Sequence, residues 1–484
     1  MPLEDSPTAS LRIGHESLSS GGGGTHDHLN PFTREKQASI PLAGKAEMDR
    51  AVKKAEEAFK TWRLVAPEDR RDMLLRLHDL MRENIDTFAE YAAIDGGTPV
   101  TRAKQMVGMS ADWHSYYAGW ADKLEGQLLA TFDTRREFAY TVPEPYGVVG
   151  IITTWNGPII SLGMKVAPAL AAGNCVIVKP AELTPFAADY YAQLVKKAGF
   201  PDGVLSMMPG GPEAGEALVG NPAVKKITFT GGPVAARKIL VSCAEQMKPA
   251  VLELGGKSAS VIFPDFDLDL VCNFSVGFSL GIMAGQGCAL PTRIIVHESI
   301  HDELVKRIIE IARGYKIGDP TDPDVIVGPL INAAACDRVM GMLDRVRSEG
   351  SGKIVLGGNR CGGELAGKNF IEPTIIIDVD PTSEIAQTEV FGPVVTVNKF
   401  STEDEAVELA NSTKYGLSAY IYSNDLKRVH RLAERLHAGN IKVNGALALS
   451  PNSPFGGHGL SGYGKEGGKA GIDEFLHYKT VTIV

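Results

Sequence analysis

The sequence predicts an α/β protein in which parallel sheets are covered by helices. Short, continuously apolar segments such as GVVGIIT (147–153) and CVIVKP (175–180) have the length and composition of strands buried on both faces. Helical segments alternate with them, for example GMKVAPALAAG (163–173), which ends at a glycine. A similar alternation resumes after residue 257 and continues to about residue 445. We therefore expect two regions of parallel α/β structure.

The two ends of the chain have different patterns. Residues 1–28, which end in SSGGGGTHDH, contain few apolar side chains and are expected to form a flexible arm. AEMDRAVKKAEEAFKTW (46–62) has apolar residues at helical spacing, and a second amphipathic helix follows Pro67, which suits a first helical turn. The C-terminal segment HYKTVTIV (477–484) predicts a strand that pairs with another strand.

Composition excludes several classes of function. The 484 residues carry a formal net charge of -9 without a long basic run, so we expect no nucleic-acid partner and no anionic membrane surface. Neither a secretory signal nor a run of eighteen apolar residues is apparent, so no membrane span is expected. The six cysteines are scattered without a CxxC pair, which argues against disulfides and a zinc site. A cytoplasmic protein without a bound metal is the expectation.

One cysteine stands in an unusually open setting. In AGQGCALPTR (284–293), Cys288 is flanked by Gly285, Gly287 and Ala289, whereas a structural cysteine usually packs among larger side chains. Small neighbours allow the backbone and a ligand to approach the sulfur closely. The segment is either a turn that happens to contain a cysteine or the site of a nucleophilic thiol.

Four further segments place chemically active side chains at the ends of predicted apolar strands or beside glycines. Ligands of open α/β sheets bind at the carboxyl ends of parallel strands, which makes these positions candidates for a site. The segments are TTWNGP (153–158) with Asn156, VKPAE (178–182) with Lys179 and Glu182, LELGGK (252–257) with Glu253, and EVFGPV (389–394) with Glu389 and Phe391.

In this order, the five segments resemble those of the aldehyde dehydrogenase superfamily. The similarity extends from about residue 30 to the C-terminus through NPFT, MKVAPAL, KYGLSAY and SPFGGHGLSGYGKEGG. It implies a doubly wound Rossmann-like cofactor domain, a second α/β catalytic domain and a small β oligomerisation arm. The implied divisions are 29–127 with 147–256 for the cofactor domain, 257–445 for the catalytic domain, 446–464 for a return segment lining the substrate tunnel, and 128–146 with 465–484 for the arm.

The resemblance assigns a role to each catalytic candidate. Cys288 is the nucleophile that forms a thiohemiacetal and then a thioester. The Asn156 side-chain amide and the backbone N–H of Cys288 stabilise the negative oxygen, and Glu253 activates water as a general base. Lys165 either supports the thiol indirectly or has a purely structural role.

The resemblance also implies NAD as cofactor, with NADP as the less favoured alternative. Lys179 and Glu182 would hold the adenosine ribose, where a carboxylate accepts hydrogen bonds from the hydroxyl groups and repels a 2′-phosphate. In the expected pyrophosphate loop, FTGGPVAARK, Gly232 replaces a common serine and Ala236 a common glycine, so backbone N–H groups would carry the phosphate, with weaker affinity. The remaining expected cofactor contacts are Ile152, Thr154, Trp155, Gly211, Gly231, Leu254, Glu389 and Phe391.

Positions that line the aldehyde entrance in relatives contain neither arginine nor lysine in this chain. A second carboxylate on the substrate would therefore lack a partner, and we expect a medium-sized apolar aldehyde, aromatic or branched or long aliphatic, over a short or dicarboxylic semialdehyde. The alternative is that these residues only belong to the core. They are Met109, Trp113, Gly157, Ile160, Met164, Leu447, Leu449 and Phe455.

Three other functions are compatible with parts of the pattern. A coenzyme A-acylating dehydrogenase would keep the fold but would not need Glu253 as a base for water. A cysteine hydrolase or amidase would use Cys288 and Asn156 but leave Lys179 and Glu389 unexplained. A binding protein on an inactivated scaffold would not retain the three catalytic residues. In each dehydrogenase reading, the resemblance implies a homodimer or homotetramer.

Overall fold

The computed structural model describes residues 7–446 and 449–484. In these ranges the chain forms two large sheets, a three-stranded sheet and a two-stranded hairpin. The strands are β1 (Leu11–Ile13), β2 (Glu16–Leu18), β3 (Thr25–Leu29), β4 (Lys36–Pro41), β5 (Leu128–Leu129), β6 (Phe138–Pro145), β7 (Val148–Ile152), β8 (Cys175–Lys179), β9 (Leu205–Met207), β10 (Val224–Thr230), β11 (Ala250–Glu253), β12 (Ala259–Ile262), β13 (Arg293–His297), β14 (Lys353–Leu356), β15 (Thr374–Ile377), β16 (Val394–Phe400), β17 (Ser418–Tyr422), β18 (Asn440–Val443), β19 (Gly462–Tyr463) and β20 (Leu476–Ile483). The α-helices are α1 (Lys45–Trp62), α2 (Pro67–Glu83), α3 (Ile85–Gly96), α4 (Val100–Ala118), α5 (Pro158–Ala171), α6 (Phe186–Lys197), α7 (Pro212–Gly220), α8 (Pro233–Glu245), α9 (Leu268–Val276), α10 (His301–Arg313), α11 (Ala333–Glu349), α12 (Glu384–Gln387), α13 (Glu403–Asn411), α14 (Leu426–Arg435) and α15 (Gly468–Asp473).

The first large sheet has the strand order β19-β11-β10-β7-β8-β9-β1-β2. Its five central strands, from β11 to β9, are parallel. From β7 the chain adds β8 and β9 on one side and then returns to place β10 on the other side. The chain therefore continues in different directions after β7 and after β10, and open α/β sheets bind ligands at the carboxyl ends of strands where the order switches in this way.

The second large sheet has the order β14-β15-β16-β13-β12-β17-β18, with β14 antiparallel at one edge. Successive residues of β13 alternate between two helical layers. Ile294 and Val296 pack in the cluster that contains α9 and α10, whereas Ile295 packs with residues of α13 and α14. Helices thus cover both faces of this sheet, as its continuous apolar strands predict.

The N-terminal residues correct the expectation of a flexible arm. Within the described part of 1–28, β1 and β2 form a hairpin, and β1 pairs with the edge of the first large sheet at Met207. Leu11 and Ile13 are fully buried, and the Arg12 guanidinium forms two hydrogen bonds of 2.7 Å to the carboxylate of Asp189 on α6. A short apolar strand in a polar segment gives too weak a periodic signal to be recognised from the sequence.

The remaining strands lie apart from the large sheets. β6 pairs with β20 over eight residue pairs and with β5 on its other side, in antiparallel register.

The segment Leu268–Gly285 is long and apolar enough to span a membrane by composition alone, but half of it is buried in the protein. Its first part, α9, contributes Val271 and Cys272 to the core of the second sheet, and a backbone kink at Met283 and Ala284 interrupts it.

The Arg12–Asp189 ion pair provides a test of the N-terminal strand. Arg12→Ala is expected to lower the free energy of unfolding by about 2–4 kcal/mol, because the Asp189 carboxylate stays buried after its partner is removed. Arg50→Ala removes an exposed pair with Glu16 on the same hairpin and is expected to cost within ~1 kcal/mol. Urea-induced unfolding followed by tryptophan fluorescence measures both. Equal losses in the two variants would contradict a structural role for β1.

Candidate active site

The site forms where the two large sheets face each other. Glu253 is the last residue of β11, and Asn156 follows β7, so both come from the carboxyl edge of the first sheet. Cys288 precedes β13, and Glu389 precedes β16, so both come from the amino edge of the second sheet. Because residues 254–258 connect β11 directly to β12, the two edges are held close together.

Glycines permit the close packing of the backbone around Cys288. A methyl group on Gly256 would overlap the carbonyl oxygen of Cys288, and one on Gly285 would overlap the carbonyl oxygen of Gly392. Gly285 also has a φ of 73°, which favours glycine. The hydroxyl group of Tyr420 donates a 2.7 Å hydrogen bond to the carbonyl oxygen of Ala289. These contacts fix the backbone on both sides of the thiol.

The environment of Cys288 favours the neutral thiol. Burial raises its pKa to about 12, and the nearby carboxyl groups of Glu389 and Glu253 act in the same direction. Since only the thiolate is a strong nucleophile, the sulfur is weakly reactive until the thiol loses its proton.

Asn156 lies beside the cysteine loop with its amide fixed. Its Nδ2 donates a 2.9 Å hydrogen bond to the carbonyl oxygen of Gln286, which immediately precedes Gly287 and Cys288. Gln286 is itself fixed, since its Oε1 accepts a hydrogen bond from the backbone N–H of Ile331. A primary amide has two N–H groups, so a second donor remains for a ligand oxygen.

Glu253 is a buried carboxyl group whose oxygens accept no hydrogen bond from the described residues. Burial raises its pKa well above the ordinary value, and the neighbouring carboxyl group of Glu466 adds to this effect. Gly456 approaches it closely, because a Cβ atom there would lie 2.7 Å from Oε1. A glutamate with a raised pKa is a stronger base than an exposed one once it has lost its proton.

Lys165 lies behind Glu253 and reaches the site only through other residues. Its ammonium group is fully buried, forms an ion pair with Glu466 and donates a 2.9 Å hydrogen bond to Oγ1 of Thr228. Glu466 itself lines the cavity beside Cys288. Sequence reasoning missed Glu466, although it lies within the KEGG end of the quoted SPFGGHGLSGYGKEGG segment.

Two cavities meet at the thiol. One has a volume of about 130 Å³ and the other about 380 Å³. The walls of both include Thr154, Asn156, Thr230, Glu253 and Cys288. A ligand in either cavity can therefore reach the same sulfur atom.

The smaller cavity contains most of the residues expected to line the substrate tunnel. Its wall includes Met109, Gly157, Ile160, Met164, Leu449 and Phe455. Leu447 lies outside the described residues. Sequence reasoning missed other residues of this wall, namely Arg102, Met106, Phe278, Ile282, Met283 and Leu290.

Trp113 is the exception among the described candidates for the tunnel. Its indole is fully buried and packs against Tyr117, with ring centroids 6.1 Å apart, and it lies next to Gly467. The helical spacing from Met109 places both residues on one side of α4, but this large side chain reaches past the cavity into the core. The assignment of Trp113 to the tunnel was therefore wrong.

The larger cavity contains seven of the expected cofactor contacts. They are Thr154, Trp155, Gly231, Gly232, Leu254, Glu389 and Phe391. The rings of Trp155 and Phe391 meet edge to face with centroids 5.3 Å apart. Burial raises the pKa of Glu389 to about 7, although its Oε1 accepts a 2.9 Å hydrogen bond from the backbone N–H of Gly256.

The other four cofactor candidates lie outside this cavity wall. Ile152 is buried in β7, and Gly211 lies directly before α7. Lys179 ends β8, and its ammonium nitrogen is 3.8 Å from a carboxylate oxygen of Glu182. Leu183, the residue after Glu182, lines the cavity. Lys179 and Glu182 are therefore close in sequence to a residue of the cavity wall.

The start of α8 is suited to an anion. No side chain caps this helix, and a Cβ atom on Gly232 would meet nothing within 4 Å. The N–H groups of the first helical turn have no intrahelical partner, and the helix dipole favours negative charge there. The open space at Gly232 leaves room for a phosphate group to reach them.

The raised pKa of the thiol predicts its reactivity. Glu389→Gln removes a negative charge that is mostly present at pH 8 and that disfavours the thiolate, so the pKa of Cys288 is expected to fall. Alkylation by iodoacetamide at pH 8 should then be several-fold faster, because its rate follows the thiolate fraction. Labelling with the apo protein, located by peptide mass spectrometry, measures this rate. An unchanged or slower rate would show that Glu389 does not influence the thiol.

Comparisons with known proteins identify the family and the fold. The model of the aldehyde dehydrogenase family matches residues 18–481. Cytosolic aldehyde dehydrogenase 1 of Elephantulus edwardii is 38% identical over 100% of this chain and 98% of its own. The structure of betaine aldehyde dehydrogenase from Staphylococcus aureus with NAD+ has a TM-score of 0.95 at 32% identity and covers 99% of this chain and 95% of its own. An NADP-dependent enzyme of E. coli has a TM-score of 0.96 at 32% identity and covers 99% of both chains. The predicted fold class is confirmed, and the chain belongs to the aldehyde dehydrogenase family.

Proposed function

We propose that the protein oxidises a medium-sized aldehyde with an apolar body, aromatic or branched or long aliphatic, to its carboxylic acid with NAD. The observation that carries this proposal is the meeting of two cavities at Cys288, Asn156 and Glu253. One cavity would hold the aldehyde and the other the dinucleotide, with the thiol between them. Oxidation of aldehydes as a class follows from membership of the family.

In the first step the Cys288 thiolate would attack the aldehyde carbon to form a thiohemiacetal. The carbonyl oxygen becomes negative as the bond forms. The Asn156 amide and the backbone N–H of Cys288 would donate hydrogen bonds to it. Because Asn156 is already held by Gln286, little reorganisation is needed when the charge appears. Such preorganised donors contribute a factor of about 10²–10³ to the rate.

The residues of the larger cavity fit a dinucleotide. The uncapped start of α8 suits the pyrophosphate, Glu182 and Lys179 suit the adenosine ribose, and Glu389 suits the hydroxyl groups of the second ribose. A nicotinamide dinucleotide held by these residues would supply the hydride acceptor needed to oxidise the adduct on Cys288 to a thioester. Trp155 and Phe391 would pack near the ring.

Glu253 would then activate the water that hydrolyses the thioester. It lies in the wall shared by both cavities and has no competing hydrogen bond from the described residues. This favours release of a free acid over transfer to coenzyme A, which needs no base for water. A cysteine hydrolase or amidase would need no dinucleotide, so the second cavity would have no role.

The carboxylate of Glu182 favours NAD over NADP. It would repel a 2′-phosphate, whereas the neighbouring Lys179 would attract one. Burial lowers the pKa of Lys179, while the neighbouring Glu182 opposes this effect.

The three-stranded sheet is the proposed assembly surface of a homodimer or homotetramer. Leu128, Phe138 and Ile483 on β5, β6 and β20 expose apolar side chains, and β5 and β20 form open edges. A cytoplasmic location is proposed as well, since a relative of similar length is named as cytosolic.

The uncapped phosphate loop predicts an effect of Gly232→Ser. The added hydroxyl group enters open space at the start of α8 and can donate a hydrogen bond to a phosphate, so NAD is expected to bind about two- to tenfold more tightly. Calorimetric titration with NAD measures this, and Gly220→Ser, at a glycine with similar open space on α7, is the control. Unchanged NAD affinity in Gly232→Ser would contradict a role of this loop in NAD binding.

The reaction itself is tested with a panel of aldehydes and absorbance of NADH. Benzaldehyde and octanal are expected to have kcat/KM values at least about tenfold higher than succinic semialdehyde, because the cavity wall is mainly apolar. Cys288→Ala should abolish turnover. Glu253→Gln should give about one equivalent of NADH per site and then stop, since the thioester persists.

Three results would contradict the proposal. Turnover in Cys288→Ala would exclude the thiol as nucleophile, and multiple turnovers of Glu253→Gln only with coenzyme A would favour the acylating reaction. Preference for succinic semialdehyde would reject the apolar substrate class.

A further inference from the structure

Arg102 is a positively charged residue in the wall of the substrate cavity. It lies on α4, one turn before Met106 and two turns before Met109, and all three side chains line the same cavity. The positions that relatives use for the tunnel do not include it, so the expectation that the cavity lacks a cation was wrong. A cation here changes which substrates the cavity can bind.

The protein leaves this guanidinium largely without partners. Its Nη1 donates a 2.9 Å hydrogen bond to Oε1 of Gln105, and its Nε is buried without a hydrogen-bond partner among the described residues. No carboxylate in the described ranges forms an ion pair with it. By contrast, Arg338 at the cofactor cavity donates to the carbonyl oxygens of Val390 and Phe391.

An unsatisfied, partly buried guanidinium is costly unless a ligand binds it. A buried donor without a partner destabilises a protein, and more so when it is charged. Burial also lowers the pKa of Arg102, with no acidic neighbour opposing that effect. The planar fork of a guanidinium matches the two oxygens of a carboxylate.

The position of Arg102 sets where such a carboxylate would lie. The methyl group of Met106 lies near Gly157, since a Cβ atom there would be 3.4 Å from it, and Gly157 follows the catalytic Asn156. Arg102 is four residues before Met106, which corresponds to about 6 Å along the helix axis. The backbone of Arg102 therefore lies about one helical turn from that of Met106, towards the start of α4.

The titratable residues of the cavity wall differ in their pairing. Glu466 is paired with Lys165, and burial raises the pKa of Glu253, whereas Arg102 has no carboxylate partner among the described residues. The wall also contains the apolar side chains of Phe278, Ile282 and Met283. An anionic group in the cavity would be attracted to Arg102, which leaves the aldehyde group free to reach the thiol.

We propose that the substrate is an ω-oxo acid, an aldehyde whose apolar body ends in a carboxylate that pairs with Arg102. This proposal rests on the proposed aldehyde oxidation and refines its substrate class. A short semialdehyde such as succinic semialdehyde is expected to bridge Cys288 and Arg102 less well than a longer ω-oxo acid. A longer aliphatic or an aromatic body would contact the apolar side chains of the wall.

The experiment compares each acid with its neutral methyl ester. The two pairs are suberic semialdehyde with its methyl ester, and terephthalaldehydic acid with its methyl ester, and succinic semialdehyde is the short control. For the wild-type chain, kcat/KM is expected to be about ten- to a hundredfold higher for each acid than for its ester, as a charge-assisted pair provides.

Arg102→Gln is expected to remove this preference and leave the esters within about twofold of wild type. Arg102→Lys keeps the charge without the planar fork and should retain part of the preference. Lys104→Gln is the matched control, because it removes the same charge from an exposed residue of the same helix, paired with Asp86. It should leave all values unchanged.

Calorimetric titration with suberate separates the two proposals. If the wild-type chain oxidises no aldehyde but binds suberate, and Arg102→Gln loses that binding, the site at Arg102 stands and the proposed oxidation fails. If aldehydes are oxidised but acids and esters are equivalent, or Arg102→Gln slows both alike, the role of Arg102 is refuted. Equal kcat/KM values for succinic and suberic semialdehyde would refute it as well.

Discussion

The close contact between residues 254–257 and the loop of Cys288 determines the geometry of the site. The absence of a side chain at Gly256 lets the carbonyl group of Cys288 approach the backbone, and the N–H of Gly256 binds the Glu389 carboxylate. A methyl group on Gly255 would overlap that carboxylate. Because this segment ends one sheet and begins the other, the same contact positions the sheets and brings Glu253 to the thiol. A larger residue at position 255 or 256 would move Cys288 and Glu253 apart.

Carboxyl groups around the thiol have opposing consequences for stability and reactivity. Glu253 is buried and Glu389 is partly buried, and both raise the pKa of Cys288. Burying carboxyl groups with few partners destabilises the fold, a cost that active sites commonly carry. In return, the sulfur stays protonated when no substrate is bound. Oxidants and alkylating agents react with thiolates, so this environment protects the nucleophile between turnovers.

The sequence predicted the parts of the structure that regular patterns encode. The parallel strands were recognisable as continuous apolar segments, and the site segments follow or precede those strands. It did not predict β1, whose three residues are too few for a periodic signal, or the position of Trp113, which depends on how far a long side chain reaches from α4. Arg102 and Glu466 were missed because their roles arise from the surfaces they face, which spacing along the chain does not determine.

The two cavities separate chemistry from specificity. The candidate catalytic residues lie at or near the ends of strands, in the wall that both cavities share. Residues at the far end of the smaller cavity come from the first turns of α4 and from the kinked segment after α9. Neither of these belongs to a sheet, so their side chains can change without moving the thiol. One scaffold can thus accept different aldehydes while its catalytic centre stays the same.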